Sequence, residues 1–168
     1  MKNQYIYTFM LLLFAFSCTH KDVDIYSVKI DFSIDSKLKN SVNSKLYVVE
    51  KSDKIFYYYS DTLDYQHNYI SKIEYSKPDK NMLLDNIVCS SIGEKSFLVD
   101  GEEIKVKRFY YDIEDVEDEE YVFFFNDKYG IFLKHSFQWR TSVTYYRENN
   151  KSNALIDKII SDSFLNYP

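Results

Sequence analysis

The sequence predicts a mainly β fold, α+β in class: an antiparallel, hairpin-rich sheet arranged as a sandwich or small barrel, with one C-terminal helix. Three observations predict it. Tyr26, Val28, Ile30, Phe32 and Ile34 alternate with Ser27, Lys29, Asp31, Ser33 and Asp35, the period-two pattern of a strand with one buried face. Asp100-Gly101 suits a two-residue hairpin turn, which sets Phe97 opposite Ile104 and Ser96 opposite Lys105, like against like. The chain holds 17 Tyr and 13 Phe but only three Gly and two Pro, a mixture that favours pleated, half-buried surfaces over disorder.

Taken in order, residues 25–35 form the first strand. Residues 36–44 are polar and read as a loop or short helix. Segments 46–50 and 54–60 make a hairpin around Lys51-Ser52-Asp53, and Tyr69, Ser71, Ile73 and Tyr75 share one face of the next strand. Residues 77–81 carry Pro78 and read as a turn. The Asp100-Gly101 hairpin runs on to about Tyr111, and segments 121–125 and 131–137 form another hairpin. Residues 142–146 form a last strand. Leu155, Ile156, Ile159, Ile160 and Phe164 then recur at helical spacing, so a helix is expected over about 153–165, capped by Ser152 or Asn153. The body, residues 25–168, is a single domain of eight to ten strands. A meander of hairpins closed by a helix resembles the small ligand-binding barrels of the lipocalins, although the Gly-x-Trp of their first strand is absent.

The first eighteen residues differ from the rest. Lys2 is the one charge before an apolar run from Tyr5 to Phe16. That run is shorter than the roughly 20 residues a helix needs to cross a bilayer, and it is built like an export leader. It ends Ala15-Phe16-Ser17-Cys18. This ending resembles the lipobox of bacterial lipoprotein precursors, in the loose form of bacteroidete-type lipoproteins. The resemblance implies a signal peptide over 1–17 cleaved by signal peptidase II, lipidation of Cys18, and a location at the cell envelope, anchored to the outer membrane and facing the periplasm or the surface. Residues 18–24 would be the lipidated Cys and a short tether. The six residues from Thr19 to Asp24 reach about 20 Å at full extension.

Composition narrows the partners. The formal charge is −5, and loss of Lys2 with the leader makes the remainder one unit more acidic. No basic stripe is present, which argues against nucleic acid. With Cys18 acylated, Cys89 is the one remaining thiol, so no internal disulfide is available. Cys89 sits in an apolar run and reads as a small buried hydrophobe.

Candidate sites are few. Residues 112–120 hold seven carboxylates in nine positions, among them Glu114, Asp115, Glu117 and Asp118. They read as a solvated loop, a landing site for a basic partner, or a calcium loop; no Gly provides the sharp bend that calcium loops use. Consecutive rings on a strand point to opposite faces, so the Tyr and Phe runs place Tyr57, Tyr59, Tyr110 and Tyr145, with Trp139, either in the core or on an exposed platform for a glycan or envelope protein. Arg108 shares parity with Ile104 and Val106. His135 shares parity with Ile131 and Leu133 and is expected to face inward. The histidines and cysteines show no metal-ligand spacing, no cofactor motif is present, and neither a Gly-x-Ser-x-Gly elbow nor a phosphate loop occurs. The expectation is a non-enzymatic binding module, with a lipocalin-like carrier or an immunity-type inhibitor as the alternatives. In cells fed an alkyne-tagged palmitate, the wild-type chain is expected to take up the label and fractionate with membranes, and Cys18→Ala to lose both.

Overall fold

The computed structural model describes residues 23–113, 116, 120–147 and 150–162. The leader, Cys18 and the carboxylates Glu114, Asp115, Glu117 and Asp118 lie outside the described residues. Ten strands follow one another: β1 (Val23–Ile34), β2 (Lys37–Lys51), β3 (Lys54–Ser60), β4 (Ser71–Ser76), β5 (Met82–Leu84), β6 (Ile87–Val99), β7 (Glu102–Tyr111), β8 (Tyr121–Asn126), β9 (Gly130–Ser136) and β10 (Thr141–Arg147). A helix, α1 (Asn150–Ser161), completes the fold. Each strand pairs antiparallel with its neighbour in sequence, and β1 also pairs with β10. The sheet is therefore a closed up-and-down barrel.

The Asp100-Gly101 hairpin has the expected register, with Phe97 opposite Ile104 and Ser96 opposite Lys105. In the polar segment 36–44, residues 37–44 are strand, not loop or helix: they are the first half of β2 and pair along β1. Its turn, Asp35-Ser36, takes φ of 48° and 60° without a glycine. Such residues visit the left-handed region at modest cost. Asp85-Asn86 does the same at φ of 49° and 74° and creates the short β5–β6 hairpin. The helix starts earlier than expected, so Ser152 is buried within its first turns instead of capping them, and Ile160 is exposed.

Two bulges reassign side chains. Between β8 and β9 the register shifts beside Phe124 and Phe125, so that Phe125 faces Ile131 while Phe124 faces Leu133. The extra residue is Phe132, and beyond it the faces exchange. His135 therefore shares the outer face with its partner Val122, while Lys134 shares the inner face with Phe123. This corrects the inward placement of His135, because simple parity fails across a bulge. Between β6 and β7 a second shift precedes Gly93, whose φ is +145°. Arg108 lies over this glycine, and a Cβ there would come within 3.2 Å of its guanidinium.

The lumen is filled by rings. Tyr57, Tyr59, Tyr75, Phe109, Phe123 and Phe125 are fully buried in one cluster with Leu46, Ile73 and Met82. The β3 and β8 strands stand five positions apart around the barrel in either direction, so they are diametrically opposite. Yet Tyr57 meets Phe125 edge to face at 5.4 Å, and its hydroxyl donates to the Asp127 carbonyl. Tyr59 donates to the Ile131 carbonyl and accepts from the Ile131 N–H. Gly130 leaves room for both, because a Cβ would stand 3.0 Å from the Tyr59 hydroxyl. A second cluster lies outside the barrel, where Leu155, Ile156 and Ile159 of α1 cover Val106, Val122, Phe124 and Phe132. Ion pairs Lys95–Asp162 and Lys151–Glu102, at 2.7 and 2.6 Å, tie the two ends of α1 to the β6–β7 hairpin.

In urea denaturation, Phe125→Ala is expected to destabilise the fold by about 3–5 kcal/mol, since it empties the point where the two walls meet. Leu63→Ala, at a position exposed to solvent, should change stability by less than about 0.5 kcal/mol.

Candidate functional site

The structure does not assemble the candidate tyrosines into an exposed platform. Tyr57 and Tyr59 point into the lumen, and Tyr145 packs at a tilt against Tyr59 at 4.8 Å inside it. Burial pushes the Tyr59 hydroxyl up to about 12 and raises Tyr57 and Tyr145 further. All three hydroxyls stay neutral, and those of Tyr57 and Tyr59 donate to backbone carbonyls. Tyr110 lies half-buried on the outer face beside the helix cluster, its hydroxyl raised to about 12 by burial and then by Glu120. The outward rings of β2 and β3 are covered too. Tyr65, in the loop after β3, stacks on Tyr47 at 4.2 Å and meets Tyr58 edge to face, while the Tyr47 hydroxyl donates to the Thr62 carbonyl.

Trp139 alone among the singled-out aromatics is clearly exposed, at 53%. It lies in the β9–β10 turn, next to Phe137 at 42%. The neighbouring β1–β2 turn is joined to it by an Asp35 N–H to Arg140 carbonyl hydrogen bond of 3.0 Å. That hairpin exposes Phe32, Leu38 and Val42 as well. In an up-and-down barrel the turns alternate between ends, so these two turns crown the end opposite to the start of β1. The rim they form is apolar and aromatic, with Lys37, Lys39 and Arg140 around it. Sequence parity gave no sign of it, because alternation alone does not reveal that a hairpin outruns its barrel.

A second feature is a half-open cavity of about 560 Å³. It lies over the outer face of β1, β2 and β10, beside Tyr146 and Asn153, and crosses the row of cross-strand partners Ser44, Val28 and Arg147, whose side chains share the lumen face. Lys29, Lys45 and Asp61 stand around it as well. Ser44 and Arg147 are each only 7% exposed. The Ser44 Oγ and one terminal nitrogen of Arg147 have no hydrogen-bond partner among the described residues. Arg147 was not among the residues the sequence singled out; the one signal was a lone Arg ending an aromatic strand.

No family model matches this chain, and no curated protein or solved structure is similar to it.

Conventional nucleophiles are poorly placed. Burial pushes the Cys89 thiol up to about 12, and its sulfur sits 3.9 Å from the Ile87 carbonyl. His135 bonds Ser142 at 2.8 Å and meets Phe137 edge to face, and burial lowers its pKa. His67 is held by Asp64 on an exposed loop. The folded protein should therefore not react with a disulfide-based thiol reagent at pH 8, and Cys89 should become reactive as denaturant unfolds the barrel. The unfolded thiol ionises near its ordinary value of 9.0, well before the folded one, so this thiol's contribution to stability is complete below pH 9 and falls as pH rises from there toward about 12.

Proposed function

We propose that the protein is an envelope-anchored lipoprotein whose barrel is a non-enzymatic binding module, docking a partner protein through the rim of the β1–β2 and β9–β10 turns. The observation that carries this reading is the exposed cluster of Phe32, Leu38, Val42, Phe137 and Trp139 on one end of an otherwise ring-filled barrel. Large exposed apolar groups gathered in one place favour an interaction surface over a solvent-facing one. Aliphatic Leu38 and Val42 suit a protein better than a glycan, which needs hydrogen-bonding groups beside its stacking rings. The basic residues around the rim suit a partner with carboxylates at its edge.

The anchor fits the same geometry. Lipid on Cys18 would hold the chain only a few residues before β1. Across its 12 residues that strand rises about 40 Å before tilt is considered, so the rim would face away from the bilayer. None of the described helices is long and apolar enough to cross a membrane. Opposite walls in contact across the lumen disfavour the alternative of a carrier with an internal apolar cavity.

Photocrosslinking in cells tests the reading. A benzophenone side chain replacing Trp139 is expected to trap one discrete protein adduct, lost when Phe137→Asp is added. The same probe replacing Ile160, exposed on α1, should trap none. Equal labelling from both positions, or none from position 139, would sink the proposal, and an adduct that is polysaccharide would reassign the rim to a glycan.

A further inference from the structure

We propose that the open margin of β2 takes up an extended acidic segment of the partner protein as an added strand, a reading that rests on the rim above because the margin runs on from the same β1–β2 turn. Residues 45–51 of β2 pair with β3, while residues 37–44 have β1 on one side and no strand on the other among the described residues. The turn at 52–53 decides which backbone groups are left open. Lys51 and Lys54 flank this two-residue turn as a cross-strand pair, so odd-numbered residues of β2, back to Ser41, aim their N–H and C=O at the β3 side. Beyond the end of β3, Ser41 and Asn43 therefore present these groups to a vacant lane. The Ser41 N–H bonds the side chain of its own neighbour, Asn40, at 2.9 Å. Where β3 leaves β2, Asn43 and Asp61 border the half-open cavity.

Charge selects the occupant. Lys37, Lys39 and Lys45 are exposed along this margin. None of them has an ion-pair partner among the described residues, whereas Lys29, Lys54, Lys77, Lys95, Lys105 and Lys151 are each paired with a carboxylate. Asp31 is held by Lys29 and the Ser41 hydroxyl, and Asp35 by Arg140. Asp61, across the cavity from Lys45, does not balance the lysines. The result is a positive margin on a chain of net −5. Opposite charges on neighbouring strands stabilise their pairing, and like charges weaken it. The lysines that repel a second copy of this chain thus select an acidic one. Leu38 and Val42, exposed on the same segment, add apolar surface, so the strand that fits alternates acidic and β-branched residues. In such additions main-chain hydrogen bonds supply affinity and side chains supply selection.

The test titrates the full chain, in detergent micelles at neutral pH, into a short fluorescent peptide alternating Glu and Val, read by anisotropy. One control peptide carries Lys in place of Glu, and another keeps Glu but is N-methylated throughout its backbone. Saturable binding of the acidic peptide is expected, weakened by salt, with both controls at least about tenfold weaker. Ser41→Pro removes an N–H of the margin and leaves the β1 ladder intact, as proline on an open edge does. It should keep the circular dichroism of the barrel and lose about tenfold or more in affinity. Lys37→Glu with Lys39→Glu should lose about as much, and Lys158→Ala, exposed on α1, nothing. Should Ser41→Pro fail to fold, the lysine reversal and the N-methylated peptide carry the test. No saturation, equal binding of either control peptide, or indifference to the lysine reversal overturns the proposal. So does a dimer in sedimentation that Ser41→Pro dissolves, which would give the margin to a second copy. Peptide binding without a cellular adduct from position 139 sinks the rim and leaves the margin; an adduct without peptide binding does the reverse.

Discussion

Contact between opposite walls of the barrel governs everything else. Tyr57 and Tyr59 reach from β3 to the β8–β9 turn and bond its backbone, and Phe125 reaches back. A barrel of ten strands could enclose a void. Here aromatic side chains close that distance and turn a container into a solid body. The contact depends on Gly130, which has no Cβ to block the two tyrosines and whose φ of +76° suits the tight turn that brings the backbone within reach. With the lumen filled, the surfaces open to other molecules are the ends of the barrel and the seams between strands.

Much of the architecture was legible because it rests on local rules. Alternation in β1, the turn at Asp100-Gly101 and the helical stripe Leu155, Ile156 and Ile159 each state their structure within a few residues. What was not legible depends on partners far away in sequence. Segment 37–43 has no apolar alternation of its own, since both its faces meet water, and it is strand because β1 lies beside it. The bulge at Phe132 is set by the fit of two walls, so His135 changes face with no local sign. Closure of the sheet, the pairing of β1 with β10, joins the two most distant strands and leaves no trace in composition.

The candidate surfaces divide in the same way. Trp139 was grouped with the tyrosines as core or platform, and it is exposed. Tyr57, Tyr59 and Tyr145 could have been core or platform, and the deciding fact is which face of the strand turns inward, which period-two reasoning leaves undetermined for a run of consecutive rings. Arg147 and Ser44 were not among the candidates, and they flank Val28 on the lumen face. Neither forms a motif, and their proximity follows from the pairing of both strands with Val28.

The overhang of β2 has one more implication. Residues 45–51 pair with β3, but residues 37–44 pair with β1 alone, leaving a row of backbone amides and carbonyls open along one margin of the sheet. Open margins of this kind invite another chain to add a strand, and positive side chains together with an irregular register discourage it. Lys37 and Lys39 occupy that margin, and the irregularity between Phe32 and Ser33 falls opposite them. A protein concentrated on a surface would meet its own copies constantly. Two lysines and one misregistered residue would then separate a population of individual barrels from a fused, insoluble layer.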